Sequence, residues 1–122
     1  MAKIARFVVP AAVWLLAALT AGPAGAHALL LQATPAPNAA VQGSSVDISL
    51  HYNSRIDPLR SRMALKGPEG QRSIEVHPGA GAADLAAHLE GLTPGKHVLH
   101  WDVLSVDGHV SRGDLPFTVI AP

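Results

Sequence analysis

From position 29 onward, apolar and polar residues alternate in short runs that stop at proline or glycine. Side chains at i and i+2 of an extended chain share a face, so alternation marks half-buried strands. Ile48, Leu50 and Tyr52 form one such inward set, with His51 facing the other way. Leu99, Trp101 and Val103 form a second. On this pattern strands are expected near 29–33, 46–52, 61–66, 73–76, 84–89, 96–105 and 114–120. Turn signals separate them: T-P-A-P-N at 34–38, G-P-E-G at 67–70, H-P-G at 77–79 and L-T-P-G at 92–95. The small-residue run G-A-G-A-A at 79–83 is expected to be a loose connector. No stretch carries a convincing amphipathic-helix period. Seven short strands at this spacing point to an all-β fold, a seven-stranded antiparallel Greek-key β-sandwich of immunoglobulin-like shape.

The first 26 residues follow a different plan. A basic head with Lys3 and Arg6 precedes the apolar run 7–21, and a small-residue tail ends at Ala26. This is the layout of a secretory signal. The run is 15 residues and contains Pro10, short of the roughly 20 that a spanning helix needs. Cleavage is therefore expected, dividing the chain into a signal peptide, 1–26, and one domain, 27–122. Two cuts satisfy the small-x-small rule: after Ala26, leaving His27 first, or after Ala28, leaving Leu29 first. No second apolar run follows, so no stable membrane anchor is expected after cleavage.

Composition narrows the chemistry. Without Lys3 and Arg6, seven basic residues face nine acidic ones. That balance, with no basic patch or aromatic ladder, gives no support for nucleic-acid binding. The absence of cysteine excludes disulfides, thiolate zinc, iron–sulfur clusters and a blue-copper centre. Seven histidines remain. His51, His77, His88, His97 and His100 are expected to be ordinary solvated or partly packed imidazoles, His77 in a turn. His100 and Asp102 share a face and imitate a ligand pair, but on a side expected to face solvent.

Asp107 and His109, separated by Gly108, are the exception. Asp-Gly is also a common hairpin turn, so the pair has a purely structural reading. His27 changes the balance. A histidine at a free N-terminus offers its α-amine and its ring to one metal. With His109 and Asp107 it makes a nitrogen-rich set of four, the kind that Cu(II) takes in tetragonal geometry.

These residues resemble the copper-resistance CopC family. The match rests on H-A at 27–28, T-P-A-P-N at 34–38, W-x-x-x-S-x-D-G-H at 101–109 and G-x-x-x-F-x-V at 113–119. The resemblance implies a periplasmic β-sandwich, similar to the cupredoxin and immunoglobulin shapes, that holds one Cu(II) ion per chain. It implies ligation by His27 through amine and ring, completed by Asp107 and His109, with Trp101 packed as core beneath the site. It also favours cleavage before His27. Delivery to a CopD-type inner-membrane copper transporter is a further implication. Two departures stand out. Met63 is the sole methionine after the signal, so the methionine-rich Cu(I) loop of many members is missing. Where many members read Phe-Ser-Glu-Pro, this chain reads Tyr52-Asn53-Ser54-Arg55, so an outer carboxylate is lost.

The function expected from the sequence is copper buffering or carriage for resistance and homeostasis, not enzymatic. Binding must displace a proton from the amine and meet a neutral imidazole, so affinity should fall below about pH 6.5. Two rivals stand beside it. A paired-histidine copper oxidase or monooxygenase would share His27 and His109, but only Tyr52, Trp101 and Phe117 remain after the signal to build an aromatic face. A metal-free immunoglobulin-like module would use D-G-H as a turn alone.

Overall fold

The computed structural model describes residues 28–122; the expected signal segment, 1–26, and His27 lie outside the described residues. Two sheets stack face to face. One has the order β1-β3-β7-β6 and the other β2-β9-β8-β4-β5. In chain order these strands are β1 Leu30–Thr34, β2 Ala39–Gln42, β3 Val46–Tyr52, β4 Arg62–Gly67, β5 Gly70–Ile74, β6 His77–Pro78, β7 Asp84–Leu89, β8 Gly95–Leu104 and β9 Val110–Ile120. A single 3₁₀ turn, Pro58–Arg60, joins the sheets between β3 and β4. The core is the alternation read from the sequence. Ile48, Leu50 and Tyr52 are buried against Leu99, Trp101 and Val103, joined by Leu115, Phe117 and Val119 from β9.

The all-β sandwich is as expected, but among the described residues nine strands build it rather than seven. Both additions are short. β2 runs parallel to β9, Ala39 opposite Phe117, in a fold whose other pairings are antiparallel. Its A-A-V-Q has only a weak alternating signal. β6 is two residues long and pairs His77 with Ala86, so His77 sits in an edge strand rather than a turn. β9 begins at Val110, four residues before its expected start, because it pairs with β8 over ten residue pairs up to Leu104–Val110. The G-A-G-A-A connector is fastened rather than loose. Asp84 Oδ2 accepts the Gly81 N–H at 2.9 Å, and the carbonyls of Ala82 and Ala83 accept from Ile56 and Tyr52.

His97 also departs from expectation. It lies on the inward face with Leu99 and Trp101 and is buried. Its ring stacks on Phe117, centroids 5.4 Å apart. Burial is tolerated because both nitrogens meet acceptors, the Gly95 carbonyl at 3.0 Å and Glu69 Oε1 at 2.8 Å. Glu69 is held below the usual carboxylate range, chiefly by the Thr93 hydroxyl and also by His97. Gly67 lies so close to the His97 ring that a Cβ there would clash with it.

Two polar atoms in the core, Tyr52 Oη and Trp101 Nε1, have no hydrogen-bond partner among the described residues. Burial pushes the Tyr52 hydroxyl well above its ordinary pKa. An unpaired buried hydroxyl costs roughly 1–3 kcal/mol. Tyr52→Phe is therefore expected to leave unfolding free energy unchanged or raise it by up to about 1 kcal/mol, read by urea denaturation. A loss of more than about 1 kcal/mol would mean that the hydroxyl is satisfied in solution.

Candidate metal-binding end of the sandwich

The β8–β9 hairpin closes through Val106, Asp107 and Gly108. Gly108 has φ +94°, a region that glycine enters without steric cost. The Ser105 carbonyl accepts the Gly108 N–H at 2.9 Å, and the His109 carbonyl accepts the Ser105 N–H at 2.9 Å. This tight turn leaves Asp107 and His109 exposed at the tip, their side chains 54% and 53% accessible.

Ser105, buried beneath the turn, donates its hydroxyl to Asp107 Oδ1. The His109 N–H reaches the same oxygen at 3.2 Å, and His109 Nδ1 lies 3.2 Å from it. These contacts, with the Ser105 hydroxyl first, hold the Asp107 carboxyl below its ordinary pKa. The carboxylate is thus held in place by its own turn. The turn reading and the donor reading of D-G-H are compatible in this geometry.

The start of the described chain is tied to the same end. The Ala28 N–H donates to Ser111 Oγ at 3.0 Å, two residues beyond His109. The Leu29 N–H meets Asn53 Oδ1 at 2.8 Å, and the Leu29 carbonyl accepts the Asn53 N–H at 3.0 Å. Ala28 itself is buried. Ser105 fastens Asp107 and Ser111 fastens the start of the described chain, and neither contact is expected from the sequence. Ser105 stood inside the W-x-x-x-S-x-D-G-H pattern without a role, and nothing in sequence spacing marks Ser111.

Among the described residues, no group of three or more histidine and acidic side chains converges as a metal site. The remaining exposed histidines pair with carboxylates instead. His51 Nδ1 lies 2.5 Å from Asp84. His88 bridges Asp47 at 2.6 Å and Glu90 at 3.1 Å. His100 bridges Asp114 at 2.8 Å and Asp102 at 3.2 Å. Trp101 is core, its indole edge-on to Tyr52 with centroids 5.2 Å apart.

His88 and His100 are raised above the ordinary histidine pKa, the first mainly by Asp47 and the second mainly by Asp114. A raised folded-state pKa stabilises below the unfolded value, near 6.5, and that contribution is lost as pH rises through the folded value. The two imidazoles are expected to titrate above 6.5 by NMR, and their contribution to melting temperature to be larger at pH 6 than at pH 8. Both groups are exposed, so the change should be small. Titration of either at or below 6.5 would contradict the pairing.

The model of the CopC domain matches residues 30–120. The chain belongs to the CopC family. Among solved structures, CopC from Methylosinus trichosporium OB3b superposes with a TM-score of 0.69 at 26% identity, over 78% of this chain and 95% of that one. PcoC, a methionine-rich copper resistance protein from Escherichia coli, shares the fold with a TM-score of 0.65 at 24% identity, over 78% of this chain and 100% of that one. Protein YobA of Escherichia coli K12 is 28% identical over 98% of this chain and 99% of its own length. Over its described residues this CopC-family chain is all-β apart from one 3₁₀ turn.

Proposed function

We propose that this protein is an exported, periplasmic Cu(II) carrier that binds one ion through the amine and ring of His27, Asp107 and His109. The observation that carries the reading is the Ala28 N–H bond to Ser111. Residues in a strand advance about 3.3 Å each, so the nitrogen that joins residue 27 to Ala28 lies on the order of 10 Å from the His109 backbone. Cleavage after Ala26 would leave the free amino group on His27, one residue before that nitrogen.

The spacing of the tip pair supports a shared ion. Two donors each about 2.0–2.1 Å from one metal and 3.2 Å apart, as Asp107 Oδ1 and His109 Nδ1 are, subtend roughly 100° at it. Two nitrogens from His27 would complete a set suited to Cu(II). Carriage fits better than oxidative catalysis. Tyr52, Trp101 and Phe117 are all buried, so among the described residues no aromatic platform faces solvent beside the tip. Exposed donors on a small domain suit a carrier that passes its ion on, with a CopD-type membrane transporter as the proposed receiver.

Two proteins, one beginning at His27 and one at Leu29, should be titrated with Cu(II) against a competing chelator. The first is expected to bind one equivalent tightly and the second to lose that binding. Equal affinities would remove His27 from the site.

A further inference from the structure

The stretch 55–62, R-I-D-P-L-R-S-R, runs alongside the hairpin tip. It holds Arg55, Arg60 and Arg62, three of the seven cations beyond the signal, with one carboxylate, Asp57. That carboxylate is engaged: Oδ1 accepts the Leu59 N–H at 3.1 Å, and Oδ2 lies 3.6 Å from Arg60. Arg55 and Arg62 make no ion pair among the described residues. Asp102, opposite Arg62 across β4 and β8, is taken by Arg112 at 2.9 Å and His100 at 3.2 Å. A local excess of positive charge therefore stands on a domain that is otherwise net acidic.

The stretch is rigidly presented. Ile56 is buried and bridges Ser105. The Asp57 N–H donates to the Leu104 carbonyl at 2.9 Å, and the Val106 N–H to the Arg55 carbonyl at 3.1 Å. Ser61 Oγ donates to the Asp57 carbonyl at 2.8 Å and accepts the Leu104 N–H at 3.1 Å. On the crest of this turn Leu59 is 96% exposed. One exposed leucine is unremarkable on a surface. This one stands at the lip of a hollow of about 270 Å³ whose other walls include Met63, Ile74 and Val76, with Arg62 at the rim.

We propose that this hollow and its arginines dock an acidic segment of a protein partner. An apolar side chain of that segment enters between Leu59 and Met63, and its carboxylates meet Arg60 and Arg62. Guanidinium forks suit carboxylates, and a hollow lined by Leu59, Met63, Ile74 and Val76 beside Ser61, Ser73 and Arg62 accepts a side chain that is apolar at its tip and hydrogen-bonded at its rim. An anionic membrane fits less well, because stable anchoring takes two strong signals and this stretch sets Leu59 and the neighbouring Val106 on a domain that is net acidic. Val106, 65% exposed and bonded to this stretch, links the docking surface directly to Asp107. That the docked partner receives copper rests on the function proposed above; the docking itself does not.

The test uses the metal-free processed protein and a synthetic peptide, DELFED, followed by amide NMR shifts. Shifts are expected to centre on residues 55–63, Ile74 and Val106. The double variant Arg60→Glu/Arg62→Glu should weaken binding by at least about tenfold, and Leu59→Ala should weaken it as well. Lys66→Glu and Lys96→Glu, at the far end of the sandwich, should leave it within about twofold. Absence of shifts at millimolar peptide would overturn the proposal, as would equal losses in the lysine variants or tighter binding to phosphatidylglycerol vesicles than to peptide. Copper stoichiometry of the arginine variant, measured separately, should remain one. If the unaltered protein binds no copper but still binds the peptide, the copper reading alone fails.

Discussion

Replacing His109 with alanine is expected to weaken Cu(II) binding by more than about 100-fold while leaving the fold intact. Losing an outer-shell partner of a metal ligand already costs about 10–100-fold, and His109 is proposed as a direct ligand. Its side chain is about half exposed, and removing an exposed side chain at a hairpin tip changes stability by no more than about 0.5 kcal/mol. Asp107→Asn should show a smaller loss of the same sign. It keeps the shape but removes the charge that the Ser105 hydroxyl helps to maintain. Ser105→Ala should fall between Asp107→Asn and no change, because Ser105 orients the carboxylate and touches no metal. Competition titrations with melting curves on the same samples check all three. An unchanged copper affinity in His109→Ala would remove the hairpin tip from the site.

Trp101→Ala carries the largest expected cost in stability, about 3–5 kcal/mol, because it empties the volume of a buried indole. Small domains hold only about 5–15 kcal/mol in total. At roughly 4–8 °C per kcal/mol for a domain near this size, the melting temperature should fall by at least about 12 °C. Trp101→Phe separates packing from polarity. It keeps most of the ring and removes the N–H that lacks a partner among the described residues, so it should cost much less. Gly113 adds a third arm, since a Cβ there would collide with the indole. Gly113→Ala is expected to destabilise by about 1–3 kcal/mol through overpacking. Equal losses for Trp101→Ala and Trp101→Phe in urea denaturation would contradict this account of the core.

The architecture was legible because burial in a sandwich imposes a period of two, and β3, β8 and the end of β9 carry it plainly. β2 and β6 were not legible. Ala39–Gln42 owes its strand to the neighbouring β9, and His77–Pro78 to β7; neither has enough alternation of its own. The His97 misreading has a related cause. By parity with Leu99 it belongs to the inward face, but histidine is usually only partly buried, and the expectation from sequence is a solvated or partly packed ring. The acceptors that make full burial affordable come from Glu69 and Gly95, which local pattern does not reveal. Asp107 and His109 were legible as a pair from their spacing alone. The Ala28–Ser111 bond spans 83 positions, and only the folded chain brings such partners together.

The most direct measurement is made on the protein recovered from its export compartment. Its intact mass is read first, and its Cu(II) EPR spectrum is then recorded at one equivalent of metal. The account predicts a polypeptide beginning at His27 and a single tetragonal signal with hyperfine structure from three nitrogens. A product beginning at Leu29, or a spectrum without that nitrogen structure, would contradict it.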